Sequence, residues 1–305
     1  MSPGTLWRLA RPRGMALVLA LPAVRYGFAH WEGALPLRHP TAFAWVLAAW
    51  WCLSAGTLWL NAALDRDEGA VLMGSPVVDA VPAGIRGWGL AAQTDAHRPG
   101  TGPAAIPSPT AAPSAALAVA YSDPRTAWKA HPVLGPLVNV VGYGLLSPVA
   151  GFATVGVAPT LRTWIAALLV LCWVGATYFG AQAFQQREDA ERGYRTFVVT
   201  HGPRATLMLT RALYAAAILG LVAGSVAGLF PRILASALLP GIGLDRHLAA
   251  WQRSPDHGFV AARGMLRRGT FLALWVMGAA TADHVFRIAE GLPLAGLGTA
   301  WQPAR

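Results

Sequence analysis

Apolar residues run along this chain in blocks of about 20, divided by short polar stretches that hold most of the charge. The blocks fall at roughly 14–31, 42–62, 133–157, 161–185, 205–228 and 268–286, with a weaker one at 229–248 that Pro240 and Gly241 interrupt. A helix needs about 20 mostly apolar residues to cross a hydrocarbon core of about 30 Å, so each block predicts a spanning helix. Two shorter apolar pieces, about 83–93 and 111–121, flank a stretch containing Pro99, Pro103, Pro107, Pro109 and Pro113. Proline inside a helix removes a hydrogen bond and clashes with the preceding turn, so no continuous helix crosses there. The pieces predict a degenerate hairpin or a loop over the membrane surface. The whole chain, 1–305, reads as one all-α polytopic transmembrane domain of seven or nine spans, with 94–114 as a Pro-rich irregular segment.

Composition excludes the main alternative. Hydrophobic residues make up 55% and charged residues 12%, and the mean hydropathy is +0.44, whereas a soluble domain carries about 25% charged residues. The net charge is +10, yet the basic residues lie scattered between apolar blocks. That pattern anchors loops at an anionic lipid face and argues against nucleic acid as a partner. Arg8, Arg11 and Arg13 followed by an apolar run look like a signal peptide, but no small-residue cleavage site follows, so a retained first span is expected. Cys52 and Cys172 both fall inside apolar blocks and form no metal-binding spacing.

Parity sets the topology. The stretches 1–13, 61–80, 121–132, 186–204 and 246–268 share one side whether or not the short pieces cross, and hold 15 Lys and Arg against 6 opposite. The positive-inside rule makes that side, and the N-terminus, cytoplasmic, in a cell inner membrane. Gly220, Gly224 and Gly228, and earlier Gly142, Gly144 and Gly151, are spaced for close helix packing.

Candidate chemistry gathers on the basic side. In "WLNAALDRDEGAVLMG", 59–74, the spacing puts Asn61, Asp65 and Glu68 on one helical face, with Asp67 beside them. In "YFGAQAFQQREDAERGYRT", 178–196, Tyr178, Gln182, Gln185 and Asp189 form a second polar stripe, flanked by Glu188 and Glu191. Polar groups on apolar helices are costly and normally face the bundle interior. Two facing acidic clusters suit Mg²⁺ and a diphosphate, because Mg²⁺ takes one or two carboxylates together with substrate phosphates. Arg66, Arg125, Lys129, Arg192 and Arg195 are placed to bind phosphate oxygens. A diphosphate with a lipid tail would set its head there and its tail among the helices.

On these stretches, with "RLARPRG" at 8–14 and "YSDPRTAWKAHPVLGPLVNVVGYGLLSPVAG" at 121–151, the chain resembles the UbiA superfamily of intramembrane prenyltransferases. The resemblance implies about nine spans around a central cavity, the third and fourth degenerate. It implies Mg²⁺-dependent prenyl transfer from a prenyl diphosphate to an aromatic, quinone-precursor-like or other lipophilic acceptor. It sets Asn61 and Asp65 on the first family motif, Glu188 and Asp189 on the second, and Lys129 on a basic position after Tyr121, Ser122, Asp123 and Pro124. Ala62 replaces a usual Asp, and Gly69 stands where another is common. Asp65, Asp67, Glu68, Glu188 and Asp189 are the expected metal ligands, with Asn61, Asp65 and Asp189 at the centre of the chemistry. Tyr143, Tyr178 and Trp59 are candidates to face the allylic cation through cation–π attraction, with bundle packing or interfacial belting as the alternative for each, and Asn139 and Gln182 are expected to line the acceptor and prenyl cavity. Two other readings compete: a catalytically degenerate relative, because of the motif departures, and a secondary transporter, because intramembrane acids also mark ion-coupled carriers.

Overall fold

A computed structural model describes residues 3–33, 35–65, 84–95, 110–255 and 258–289. Twelve α-helices and no strand occur among them. Helix α1 is Pro3–Leu9, α2 Pro12–Glu32, α3 Pro40–Asp65, α4 Ile85–Asp95 and α5 Ala111–Ser122. Then come α6 Leu134–Asn139, a π-helical stretch Val140–Leu146 and α7 Ser147–Ala153, which together make one rod. Helix α8 is Leu161–Gln182, α9 Gln186–Glu191, α10 Phe197–Val226, α11 Leu238–Arg253 and α12 Gly258–Ala289.

Five helical units among the described residues are long and apolar enough to cross a membrane: Pro40–Leu64, Leu134–Ala153, Leu161–Gln182, Phe197–Val226 and Gly258–Ala289. These are five of the expected blocks. Helix α2, of 21 residues, has the length but carries Arg13, Arg25 and Glu32. The weak block at 229–248 becomes a 3₁₀ turn, Arg232–Ala237, followed by the 16-residue α11. Pro240 falls in the first turn of α11, where its missing N–H has no intrahelical partner to lose.

The two short apolar pieces form short helices, as expected of a degenerate hairpin. At 1.5 Å per residue α4 and α5 are only about 17 and 18 Å long, short of the hydrocarbon thickness. They pack on α3, and a Cβ on Gly89 of α4 would lie 2.9 Å from the Gly56 carbonyl oxygen, so the two backbones touch. Pro113 is tolerated in the first turn of α5. Most of the Pro-rich segment, 96–109, lies outside the described residues.

Two packed clusters build the bundle. Leu207, Tyr214, Leu244, Leu248, Met265 and Leu272 join α10, α11 and α12 against α8. Val46, Trp50, Leu53 and Ala150 join α3 to α7, with Leu19 of α2 beside them. Gly151 is the tightest crossing among the described glycines: its Cβ would lie 2.0 Å from the Pro22 carbonyl oxygen, so the backbones of α7 and α2 touch there. Gly220 and Gly224 are also close, to Leu169 and Phe230. Gly142 meets nothing, and Gly228 serves a left-handed turn (φ 76°) after α10 rather than a packed interface. The outer surface is apolar, with Trp45, Leu168, Met208, Leu219, Phe271 and Leu274 exposed, as expected of helices facing lipid.

The basic stretches converge at one end. Trp59 Nε1 donates to the Leu6 carbonyl at 3.0 Å, Ser122 donates to Asn61, and the Arg195 N–H donates to the Ala130 carbonyl at 3.0 Å. Gly258 packs on Phe184 at the same end. The described parts of all five stretches therefore share it, as parity required.

Candidate functional site

A cavity of about 910 Å³ runs between α2, α8, α10 and α12 and reaches this basic end. Its mouth is built by the 183–196 connection. Helix α8 stops at Gln182, the chain turns, and α9 carries Asp189 back over the cavity. The predicted stripe of Tyr178, Gln182, Gln185 and Asp189 is therefore broken between two helices, although all four line the cavity. The turn is held at both ends. The Asp189 N–H donates to the Gln185 carbonyl at 2.8 Å, and the Tyr194 N–H donates to the Asp189 carbonyl at 2.8 Å. Gly193, at φ 73°, supplies the left-handed residue that reverses the chain.

Asp189 is buried, and Thr196 Oγ1 donates to its Oδ2 at 2.8 Å. Burial raises its pKa, with the Thr196 hydrogen bond and Arg192 opposing and Glu188 adding to the rise. Glu188 and Arg192 pair at 2.8 Å. Lys129, on the 3₁₀ turn Trp128–Ala130, holds its Nζ 5.5 Å from the centre of the Tyr194 ring. Burial, helped by Arg192, lowers the Lys129 pKa to about 8. The mouth thus combines a buried carboxylate with a half-buried ammonium and a half-buried guanidinium.

Below it lies an aromatic and amide layer. Gln182 Nε2 donates to the Tyr178 hydroxyl at 3.3 Å, and the Gln182 carbonyl oxygen is buried without a partner among the described residues. Tyr121 faces Tyr178 and Asn139. Gly135 makes room for Tyr178, since a Cβ there would lie 2.8 Å from the hydroxyl. Asn139 Nδ2 donates to the Gly135 carbonyl of its own helix at 3.1 Å. Tyr143, on the π-helical stretch, lines the cavity too.

Other expected residues lie elsewhere. Arg125 and Arg195 are exposed and do not line the cavity. Trp59 packs with Ala10, Met15 and Ile85 instead of facing the cavity, because α1 and α4 cover its side of α3. Asn61 is bonded to Ser122, which links the end of α3 to Tyr121 and the second acidic stretch. Asp65 closes α3, but its side chain, and all of Arg66, Asp67 and Glu68, lie outside the described residues. Among the described residues no three acid, His or Cys side chains gather as a metal site.

Three cavity residues escaped the spacing argument: Arg11, Tyr194 and Thr196. Each sits within or beside an acidic or basic stretch, but helical spacing does not find them because none shares a helix with the acids.

A family model described as the UbiA prenyltransferase family matches residues 105–275. A protoheme IX farnesyltransferase from Ralstonia nicotianae is 26% identical over 148 residues, 47% of each chain. One from Aromatoleum aromaticum is 27% identical over 145 residues, 46% of each. The match thus spans about half the length of those relatives. Among solved structures, a UbiA homolog from Archaeoglobus fulgidus bound to GPP and Mg²⁺ covers 90% of this chain and 99% of its own, with a TM-score of 0.61 at 15% identity. A UbiA homolog from Aeropyrum pernix K1 covers 89% and 97%, with a TM-score of 0.57 at 18% identity. The helical fold is shared with both, and the family match extends over more than half of the sequence: the chain belongs to the UbiA prenyltransferase family.

Proposed function

We propose that this chain transfers a prenyl group within the membrane from a prenyl diphosphate to a lipophilic acceptor. One observation carries the reading: a long apolar cavity whose mouth holds Asp189, Lys129 and Arg192 together. Lys129 and Arg192 neutralise the diphosphate, and Arg192 offers a planar fork for its oxygens. The bond from the first prenyl carbon to oxygen breaks with its electron pair going to the diphosphate, the acceptor's electrons form the new bond to that carbon, and the positive charge left on the acceptor is discharged by loss of a proton to the released diphosphate. Tyr178, Tyr121 and Tyr143 lie below the mouth, where their rings face positive charge developing on the prenyl group. The apolar walls keep water away from it.

The oxygen donors suit Mg²⁺. Asp189 has lone pairs beyond the one Thr196 uses, Glu188 is adjacent, and Mg²⁺ needs only one or two carboxylates besides phosphate. Asp65, Asp67 and Glu68 complete the proposed donor set. When bound, the ion supplies Lewis acidity toward the leaving diphosphate.

The relatives favour protoheme IX as the acceptor over the quinone precursor that the family resemblance suggested. The cytoplasmic face is the proposed location of the mouth, from the excess of basic residues there. The test is product analysis in membranes containing the chain, supplied with labelled farnesyl diphosphate, Mg²⁺ and either protoheme IX or a hydroxybenzoate. Farnesylated porphyrin is expected with Mg²⁺ and absent without it. Mg²⁺-dependent retention of the diphosphate with no product from any acceptor would identify a binding-only relative instead.

A further inference from the structure

Helices α11 and α12 pack side by side in opposite directions. His247 Nε2 lies 2.8 Å from the Ala261 carbonyl oxygen near the mouth, and Trp275 Nε1 donates to Ser236 Oγ at 3.0 Å toward the other end. Their outward faces carry one shared pattern. On α11, Leu239, Ile242, Arg246 and Arg253 recur at helical spacing on one face, and all four are exposed. On α12 the corresponding face is Arg263, Arg267, Phe271 and Leu274, again all exposed. Because the helices run in opposite directions, both pairs of arginines stand toward the mouth and both apolar pairs away from it. Arg267 immediately precedes the apolar block at 268–286.

These arginines are short of anions. Ion pairs among the described residues engage Arg187, Arg192, Arg211 and Arg287, and none of the four. Asp245, beside Arg246, is taken by Arg211, which donates to both carboxylate oxygens at 2.9 and 3.2 Å. Arg263 lies over the Phe259 ring at 5.8 Å. Asp256, between the two helices, lies outside the described residues.

Guanidinium groups at the border of an apolar block stand at the depth of lipid phosphates, whose oxygens their planar forks match. Ile242 and Leu239 lie about 6 and 10 Å along the helix from Arg246 at 1.5 Å per residue, and Phe271 and Leu274 lie equally far from Arg267. A molecule that fits this face therefore has an anionic head and an apolar body at least about 10 Å long. A free phosphate or an acidic peptide would use the arginines alone, whereas a phospholipid uses both halves of the face. We propose that the outer face of α11 and α12 binds an anionic phospholipid, with its phosphates on Arg246, Arg263 and Arg267 and its acyl chains along Ile242, Leu239, Phe271 and Leu274. Arginines on two neighbouring helices suit a headgroup with two phosphates best. On its opposite side α12 lines the cavity through Leu266, Thr270 and Ala273, so a lipid seated outside braces a cavity wall. The inference does not rest on the prenyl-transfer reading.

The test titrates the full chain in detergent with cardiolipin, phosphatidylglycerol or phosphatidylcholine, and reads retained lipid by native mass spectrometry and the thermal midpoint. Cardiolipin should be retained most tightly, phosphatidylcholine least, and the midpoint should rise with cardiolipin. The double variant Arg246→Gln/Arg267→Gln should bind cardiolipin about 20-fold more weakly, at about fivefold per arginine. Arg187→Gln/Arg204→Gln removes the same charge from other exposed positions at that end and should keep the affinity. Equal weakening in both double variants would overturn the site, since surface charge in general would then suffice. Equal retention of phosphatidylcholine would overturn it as well. So would inorganic phosphate that raises the midpoint as much as the lipid does. Polyglutamate that binds through Arg246 and Arg267 and is not displaced by cardiolipin would make this a face for an acidic protein, and would also overturn it.

Discussion

The two ends of the cavity hold similar side chains in opposite condition. At the mouth, Asp189 has Thr196, Glu188 has Arg192, and Lys129 lies against Tyr194. At the far end, by Thr163, the acids are equally well paired: Glu32 accepts from the Thr160 and Thr163 hydroxyls, and Asp283 pairs with Arg287. The mouth is an assembled electrostatic site, the one proposed for a diphosphate. At the far end Glu32 acts on Arg25 electrostatically, yet Arg25 Nε and Nη1 and His284 Nδ1 have no hydrogen-bond partner among the described residues. Charge in a membrane protein marks function most clearly where burial and partnering disagree.

Asp189→Asn attacks the mouth where the largest effect is expected. It removes the charge but keeps the hydrogen-bonding shape, and should lower prenyl transfer by about 100-fold or more if the carboxylate holds the metal. Unchanged product formation would move the metal to the first acidic stretch. Gly151→Ala probes the far end, because the new methyl group would strike the Pro22 backbone and push α2, with Arg25, off α7. Overpacking of this kind costs about 1–3 kcal/mol, and should lower the thermal midpoint without changing Mg²⁺-dependent diphosphate binding.

Lys129→Met should weaken prenyl diphosphate binding by about tenfold, or roughly 1.4 kcal/mol. The sign of its pH dependence follows from burial. The Lys129 pKa is lowered to about 8, so the ammonium that attracts the diphosphate is present below that pH and lost above it. Affinity measured from pH 6 to 9.5 should fall through about 8 in the native protein and flatten in the variant. The smallest effect belongs to Arg187→Ala. Arg187 pairs with Glu191 at 2.7 Å, but their side chains are 92% and 63% exposed, so neither activity nor melting should change measurably.

Much of the site could be read from spacing, and the limits of that reading have physical causes. Tyr178, Gln182 and Asp189 were found because polar residues at helical intervals stand out in an apolar block. The break after Gln182 was not, because no proline or glycine marks it; hydrogen bonds from Asp189 and Tyr194 hold the turn. Spacing could not decide between packing and the cavity for Trp59, because an aromatic residue on a greasy helix carries no sign of which face meets the cavity and which meets α1. Arg25 showed only as a charge inside an apolar run, and its partner, Thr163, lies 138 residues away.

By itself the sequence determined the helical class, the positions of the apolar blocks and the sharing of one bundle end by the basic stretches. Those properties depend on local hydrophobicity and on counting crossings. Only the tertiary structure decided which polar groups reach the cavity, which are already paired, and that the two short pieces fold as helices against α3. Burial and hydrogen bonding are set by neighbours far apart along the chain, and no local pattern of residues records them.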